Sequence, residues 1–315
     1  MLTGATAWMV LVLLPALAGT LSSSARRVVL VTGANKGIGK EIARALGSLS
    51  GHTVVLGCRD EALGNAAAAE LRAAGCDCAV SRLDICDADS ITATREFLEG
   101  AYGRLDALVN NAAICFNDPT LYGAVPHTPF EQQAGITVRT NFHGTLAVTQ
   151  AMLPLLRASD ASPRIVNVAS AAGRLRGSQE IQTAFAADGL DLKRLSSLMD
   201  HFVRDVEAGV HADNGWPNTC YGVSKMGLIA LTRVLAREEP RLMVNSADPG
   251  FCATDQNQMQ GYISAAEGAE TPALLAHASF DEGHVSGLHF YQCQQIEWTY
   301  LTNDAMAVRG VRIAR

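Results

Sequence analysis

Near its amino terminus the chain reads Arg27-Val28-Val29-Leu30-Val31-Thr32-Gly33-Ala34-Asn35-Lys36-Gly37-Ile38-Gly39. The residues before the first glycine are mostly apolar and β-branched, which is typical of a buried parallel strand. Lys40 to Leu46 follow with a helical pattern. A glycine-rich turn between a strand and a helix lets the backbone approach a ligand, and the free N–H groups of the helix favour a pyrophosphate. The stretch therefore predicts a dinucleotide site, with the spacing Gly-x-x-x-Gly-x-Gly.

Strand-like and helical stretches alternate along the rest of the chain. Buried-strand runs occur at Thr53–Gly57, up to Leu83, and at Leu105–Val109, Arg164–Val168 and Met243–Ala247, with helical stretches at 61–74 and about 88–102. This alternation predicts a Rossmann-type doubly wound parallel sheet in a single α/β domain. Ligands bind beyond the carboxyl ends of such strands, where Asn111, Ser170 and the glycine turn are expected.

A second motif, Tyr221-Gly222-Val223-Ser224-Lys225, lies far along the chain. On a helix, residues four positions apart share one face, so the phenol and the ammonium are expected to be neighbours. A nearby cation favours the phenolate, and we expect it to draw the phenol pKa toward the range useful for general acid–base catalysis. Such pairs also occur by chance, so the motif gains its weight from Ser170 and the glycine turn.

Composition limits the classes of function. The 315 residues are 48% hydrophobic and 18% charged, enough for one substantial core, and the net charge is −6. Without a basic run or basic patch, the sequence predicts no nucleic-acid partner. The eight cysteines form no Cys-x-x-Cys pair and are expected to be free, mostly buried thiols. The eight histidines form no ligand pattern, so we expect no metal.

The amino-terminal segment 1–25 is expected to be a hydrophobic leader. Residues 5–18 are mainly apolar, and Ala16-x-Ala18 resembles a signal cleavage site. Arg26 and Arg27 follow the apolar run, which favours a short membrane anchor with a cytosol-facing domain. About fourteen residues are few for a full span. A cleaved secretory signal and a dispensable leader on a cytoplasmic protein are the alternatives.

The motifs occur in the order found in the short-chain dehydrogenase/reductase family, which the sequence resembles. They are Thr32-Gly33-x-x-x-Gly37-Ile38-Gly39, Asn110-Asn111-Ala112-Ala113, Asn141, Ser170 and Tyr221-x-x-x-Lys225. Within that family the chain is most similar to monomeric, NADPH-dependent carbonyl reductases, through stretches such as Gly215-Trp216-Pro217. Ala113 stands where the family usually has glycine. The resemblance implies a domain over residues 26–298, while the tail 299–315 has no counterpart.

The resemblance implies a reaction and a role for each residue. Hydride passes from NADPH to the carbonyl carbon of a small-molecule ketone, aldehyde or quinone, and Tyr221 protonates the oxygen as general acid. Lys225 holds the nicotinamide ribose and lowers the phenol pKa, Ser170 donates a hydrogen bond to the carbonyl oxygen, and Asn141 holds a water that relays protons to Lys225. Two alternatives are a reductase for one lipid-like substrate (a steroid, retinoid or prostaglandin) and a non-catalytic NADPH sensor.

Charge favours NADP(H) over NAD as the cofactor. Arg59 ends the second strand, where NAD enzymes place a carboxylate, and Lys36 adds a second cation. Asp60 follows directly and would oppose them. Besides Tyr221 and Lys225, the other predicted cofactor residues are Gly33, Asn35, Gly37, Ile38, Gly39, Asp84, Ile85, Asn111, Pro249, Gly250 and Thr254. Phe251, with Ser170 and Tyr221, is expected to contact the substrate.

Residues 174–219 are predicted to be a helical insertion before Tyr221, with helical spacing from Asp191 to Glu207. The insertion reads either as a surface excursion or, by the resemblance, as a segment that covers the dimerisation surface of other members. The second interpretation favours a monomer. Cys220 and Cys252 lie beside the predicted site, and inert buried thiols are favoured over oxidant-sensitive ones.

Overall fold

The strand that precedes the glycine turn lies inside an eight-stranded sheet. A computed structural model describes residues 26–116, 128–279 and 283–299. The strands, in chain order, are β1 (Arg27–Thr32), β2 (His52–Cys58), β3 (Cys78–Arg82), β4 (Ala107–Asn110), β5 (Arg164–Val168), β6 (Met243–Asp248), β7 (His289–Tyr291) and β8 (Gln294–Ile296). Their spatial order is β3-β2-β1-β4-β5-β6-β7-β8, parallel except that β8 pairs antiparallel with β7. The predicted doubly wound sheet is confirmed.

Helices cover both faces of this sheet. They are α1 (Gly37–Gly47), α2 (Glu61–Ala73), α3 (Ala88–Tyr102), α4 (Phe130–Val138), α5 (Thr145–Arg157), α6 (Gln179–Ala186), α7 (Leu192–Glu207), α8 (Cys220–Glu238) and α9 (Ala265–His277). Between α4 and α5 the chain forms one π-helical segment, Arg139–Gly144. The strand and helix boundaries predicted from the sequence agree with these within a residue or two, except that α1 begins three residues before Lys40.

Alternating residues of each strand feed two separate cores. Leu30, Leu108 and Ile165 point into a cluster with α3 to α8, whereas Val31 and Val109 point into a cluster with α1, α2 and α9. Because successive strand residues face opposite sides, β-branched residues at every position make a strand that is buried on both faces.

The strand order reverses between β1 and β4. Val29 pairs with Val54 of β2 on one side and with Ala107 of β4 on the other. At such a switch point the connections leave in opposite directions and open a crevice beyond the carboxyl ends of the strands. Gly33 follows β1 and Asn111 follows β4 at this edge.

The insertion 174–219 forms helices and packs against the domain. Helix α7 begins after its cap Asp191, as predicted, and lies against α4 and α8. Its buried Phe202 packs on Trp216, with ring centroids 5.3 Å apart, and the Trp216 Nε1–H donates to the Asp205 carboxylate. Helix α6 was not predicted, because its eight residues are too few to show a clear period.

Within the described ranges, no helix is long and apolar enough to cross a membrane. The predicted leader 1–25 and the tail 300–315 lie outside the described residues.

Candidate active site

The predicted catalytic side chains come together at the carboxyl end of β5. Ser170 follows this strand and caps a short 3-10 helix, Ala171–Gly173, where its Oγ accepts a hydrogen bond from Ala172 N at 3.1 Å. Tyr221 and Lys225 lie on the first turns of α8, whose N-cap is Thr219. The Tyr221 side chain hydrogen-bonds that of Ser170. The Ser170 hydroxyl and the Tyr221 phenol therefore lie next to each other.

Lys225 is almost completely buried, with 2% of its surface exposed. Its Nζ donates to Val168 O at 2.7 Å and lies 5.6 Å from the centroid of the Tyr221 ring. Burial lowers the pKa of Lys225 to about 8, and the neighbouring Cys115 and Asp248 oppose this shift. The ammonium thus lies by the phenol ring, one helical turn away, as the spacing predicts.

The Tyr221 phenol differs from the expectation in one respect. Burial raises its pKa above the ordinary value, and Cys115 and Asp248 raise it further. Hydrogen bonds from Ser170 and Gln256 act in the opposite direction. The prediction that the phenol pKa is shifted downward is therefore wrong for this structure. Burial raises the pKa by more than the neighbouring hydrogen bonds lower it.

Glycines let α8 approach the Ser170 segment. A methyl group at Gly173 would lie 2.6 Å from the backbone carbon of Lys225, and one at Gly222 would lie 2.9 Å from Ala172 O. Both distances are far below van der Waals contact, so these two positions have room for a hydrogen only. The absence of side chains at Gly173 and Gly222 sets the separation between Ser170 and the Tyr221 helix turn.

Asn141 lies in the π-helical segment and is fully buried. Its side-chain amide pairs with the backbone of Ile114, donating to O at 2.9 Å and accepting from N at 2.8 Å. It also donates to Ser224 Oγ at 3.0 Å. The side chain therefore ties α8 to the loop after β4. Single π-turns within helices frequently mark functional sites.

The glycine turn is compact and is braced by Asn111. Gly33 and Gly37 have φ values of +65° and +56°, which favour glycine. A methyl group at Gly39 would lie 2.4 Å from both Asn111 Nδ2 and Gly33 O. Asn111 Nδ2 donates to Thr32 O at 2.9 Å, so this side chain holds the turn rather than reaching outward.

The residues of this turn fit a dinucleotide. Helix α1 begins there with Lys36 as N-cap and has no side-chain cap, whereas α2 and α3 are capped by Asp60 and Asp87. An uncapped helix N-terminus leaves its N–H groups and positive dipole for a ligand anion. The glycines give the backbone the open surface that a pyrophosphate needs.

The two cations predicted to select NADP differ in their surroundings. Lys36 Nζ lies 3.0 Å from Asp255 Oδ2. Arg59 is exposed at the end of β2, and no hydrogen bond or ion pair of its side chain occurs within the described ranges. Asp60, expected to oppose these cations, instead caps α2 by accepting from Leu63 N at 3.0 Å. One oxygen of this carboxylate thus has the helix N-terminus as its partner.

The remaining predicted cofactor residues line the same edge. Asp84 Oδ1 accepts from Cys86 N at 2.9 Å, and Ile85 is buried against the π-helical segment, where a methyl group at Gly144 would lie 2.8 Å from Ile85 O. Asn35 and Ile38 belong to the glycine turn and the start of α1. Asp84 and Ile85 follow β3, and Asn35 and Ile38 follow β1, so all four lie at the carboxyl edge of the sheet.

The loop after β6 approaches the glycine turn from the other side. Pro249 and Gly250 follow β6 directly, and Gly250 has φ +81°. Thr254 Cγ2 would lie 3.5 Å from a methyl group at Gly37. Phe251, predicted to contact the substrate, is 36% exposed and packs edge-on against Tyr262.

Three groups near the phenol were missed by the sequence analysis. They are Gln256, which hydrogen-bonds Tyr221, the Cys115 thiol and the Asp248 carboxylate. Asp248 is 3% exposed, and its Oδ1 accepts from Gly250 N at 2.9 Å. The only local signal was position, since Asp248 precedes Pro249 and Gln256 follows Thr254 by two residues.

The cysteines are free, as predicted. Burial raises the pKa of Cys220 to about 12 and that of Cys252 to about 11. Since the thiolate is the reactive form, both environments favour the inert interpretation.

A family model described as short chain dehydrogenase matches residues 27–187. Carbonyl reductase (NADPH) 1 of Oryctolagus cuniculus is 44% identical over 263 residues, which cover 80% of this chain and 91% of that protein. Carbonyl reductase (NADPH) 3 of Rattus norvegicus is 43% identical, covering 81% and 92%. The structure of salutaridine reductase from Papaver somniferum matches with a TM-score of 0.76 at 31% identity, covering 85% of this chain and 100% of that one. Since the family model spans half of the sequence and these relatives span four fifths of it, the chain belongs to the short chain dehydrogenase family.

Proposed function

We propose that this protein reduces the carbonyl group of a small molecule to an alcohol with NADPH. The observation that carries the proposal is the convergence of Ser170 and the Tyr221 phenol beside buried Lys225, at the sheet edge that also holds the uncapped glycine turn. The names of the relatives support NADPH as the cofactor. When bound, NADPH supplies the hydride.

The chain's own residues orient the carbonyl and supply the proton. The Ser170 hydroxyl accepts from Ala172 N and gives its hydrogen to the Tyr221 phenol; a carbonyl oxygen bound between the two side chains would take over this hydrogen. Tyr221 then protonates that oxygen as negative charge develops on it. Its raised pKa keeps the phenol protonated at neutral pH, the form that a reductase needs.

Lys225 and Asn141 support the phenol in this proposal. Lys225 keeps donors free beyond the one given to Val168 O, and these are available to ribose hydroxyls. The amide of Asn141 is engaged with Ile114 and Ser224, so any water that it holds for a proton relay would bind to its main chain.

In this proposal the cofactor would be held by its phosphates and its adenosine. Gly33, Asn35, Gly37, Ile38 and Gly39 would present the backbone to the pyrophosphate, while Arg59 and Lys36 would bind the 2′-phosphate. Asp84 and Ile85 would flank the adenine, Asn111 would support the turn beside the ribose, and Pro249, Gly250 and Thr254 would border the nicotinamide.

We also propose that the protein is a monomer with a leader that attaches to membranes. Helix α7 of the insertion lies against α4 and α8 and so covers a face of both helices. Sedimentation velocity of the protein tests whether it is a monomer.

The apolar residues 5–18 are the basis of the membrane proposal. A reporter fused to residues 1–27 should sediment with membranes, and a freely soluble reporter would contradict this.

The reaction is tested by the loss of NADPH absorbance in the presence of quinones, aromatic aldehydes and steroid ketones, with NADH in parallel. Oxidation of NADPH with several of these compounds is expected. Turnover of one lipid ketone alone would indicate a dedicated metabolic enzyme. NADPH binding without turnover of any compound would contradict the proposed reaction and favour a sensor.

A further inference from the structure

A short turn after β6 contacts both the glycine turn and Tyr221. It consists of Thr254 and the 3-10 helix Asp255–Asn257. Asn257 fixes its shape, since its side chain donates to Cys252 O at 2.8 Å and accepts from Thr254 N at 3.1 Å. Thr254 lies against Gly37 of the glycine turn. The position of Asp255 beside the glycine turn is therefore set by packing as well as by charge.

Asp255 and Lys36 form an ion pair across this contact, although 219 residues separate them in the chain. The Nζ–Oδ2 distance is 3.0 Å, and both side chains are about two thirds exposed, at 64% and 66%. Exposed side chains on flexible stems can exchange partners without disturbing the core.

Arg59 provides the contrast. The backbone of Gly33 donates to Gly57 O at 2.7 Å, which places the end of β2, and Arg59 two residues later, beside the glycine turn. Lys36 and Arg59 thus lie on adjoining segments, but of the two only Lys36 has a carboxylate partner in the described part of the chain.

We propose that Asp255 is a specificity-determining residue, the counter-ion that Lys36 must release in order to bind the 2′-phosphate of the cofactor. The inference rests on the proposed function, because it assumes that NADPH binds at the glycine turn. A dianionic phosphate attracts an ammonium more strongly than one carboxylate does, so the exchange is favourable but costs the ion pair. A cofactor without the phosphate leaves the pair in place.

Asp255 therefore weakens the binding of NADPH selectively. Exposed ion pairs are worth a few tenths to about 1 kcal/mol, which corresponds to about a two- to fivefold change in Kd. The preference for NADPH over NADH is therefore smaller with the ion pair than it would be without Asp255.

The experiment measures Kd by direct titration of the full chain with NADPH, 2′,5′-ADP and NADH. For Asp255→Asn we expect the Kd of NADPH and of 2′,5′-ADP to fall about two- to fivefold, with little change for NADH. In a Lys36→Met background the same substitution should give a much smaller gain, because no pair remains to be broken. Asp160→Asn, on an exposed residue that precedes β5 at the opposite edge, controls for net charge.

Other outcomes would overturn the inference. An equal gain in the Lys36→Met background would mean that Asp255 merely repels the phosphate. An equal fall in the Kd of NADH would mean that Asp255 affects binding of the whole cofactor and not of the 2′-phosphate. An unchanged or higher Kd for NADPH would mean that Asp255 and the 2′-phosphate do not compete for Lys36. Each of these leaves the proposed reaction intact, whereas a complete absence of NADPH binding to the unmodified chain would contradict the proposed function itself.

Discussion

At the residue scale, Tyr221 is partly buried beside the almost fully buried Lys225, and the pKa values of the two side chains shift in opposite directions. Burial raises the phenol pKa and lowers that of the ammonium to about 8, so both shifts favour the neutral forms. A protonated phenol suits reduction, in which the developing alkoxide takes its proton. Ser170 and Gln256 keep the phenol pKa from rising further.

Replacement Tyr221→Phe should remove the proton donor while keeping the ring that packs by Lys225. We expect kcat to fall by about 10²- to 10⁴-fold, the usual contribution of a positioned general acid, with the Kd of NADPH nearly unchanged. Tyr102→Phe, at the end of α3 on the opposite edge of the sheet, is the matched control and should keep full activity. Retained turnover in Tyr221→Phe would assign the acid to another group.

His289 predicts a pH dependence of stability. Burial lowers its pKa from 6.5 to about 4, and its Nε2 is buried without a partner in the described part of the chain. Below pH 6.5 the unfolded chain binds a proton at His289 that the folded protein excludes. The free energy of unfolding is therefore unaffected by this group above pH 6.5 and decreases as the pH falls toward 4. Between about pH 7.5 and about pH 5 the loss should be about 2 kcal/mol of the free energy of unfolding.

Urea unfolding at these two pH values measures that loss. His289→Gln, which cannot take up a proton, should show a pH slope smaller by the same amount, whatever its stability at neutral pH. An identical slope in both proteins would mean that His289 is not the titrating group.

At the element scale, the site depends on how closely α8 approaches the turn after β5. Gly173 and Gly222 permit the approach. A buried network holds the elements behind it: Asn110 Nδ2 donates to Asn167 Oδ1 and Thr149 Oγ1, and Asn167 Nδ2 donates to Thr232 Oγ1. These amides join β4 and β5 to α5 and α8. The hydrogen bonds therefore hold the catalytic helix α8 in a defined position against the two strands that precede the site.

Gly173→Ala should separate these elements. The added methyl would lie 2.6 Å from the Lys225 backbone, so the turn must move and carry Ser170 away from the phenol. We expect at least a tenfold loss of kcat, since small displacements of catalytic groups are costly, and a lower Tm. Gly100→Ala is the matched control, because a methyl there meets nothing within 4 Å and Ala favours the α3 helix. Equal kcat values in both variants would contradict the tight approach.

At the scale of the whole molecule, the end of the domain closes onto the catalytic turn. Trp298 Nε1 donates to Gly173 O at 2.9 Å, its carbonyl accepts from Leu175 N at 3.0 Å, and its ring lies by Arg233 of α8. A residue 125 positions away thus fixes the Ser170 turn from the outside.

Trp298→Phe should keep an aromatic ring but remove the N–H donor. We expect a loss of about 1 kcal/mol in stability from the unpaired Gly173 carbonyl, together with a lower kcat and a nearly unchanged Kd for NADPH. Trp216→Phe is the comparison, since it removes an indole donor within the insertion, where Trp216 donates to Asp205. If the two variants lose kcat equally, the loss reflects general destabilisation rather than the Ser170 turn.

The sequence alone determined the sheet, the strand after which each site residue falls, the family and the cofactor class. These follow from period, chain order and short motifs, which act through neighbouring residues, as in the turn from Gly33 to Gly39 and the helical pair Tyr221 and Lys225. The homologous NADPH reductases confirm the cofactor and the family.

Only the tertiary structure decided the direction of the phenol pKa shift, the contact of Gln256 with Tyr221, the pairing of Asp255 with Lys36 and the capping role of Asp60. Burial and charge act through space, and the residues that exert them lie on segments far apart in the chain. Asp60 shows the limit most simply: its position beside Arg59 suggested a competing charge, but a helix that begins at the next residue takes its carboxylate as a cap.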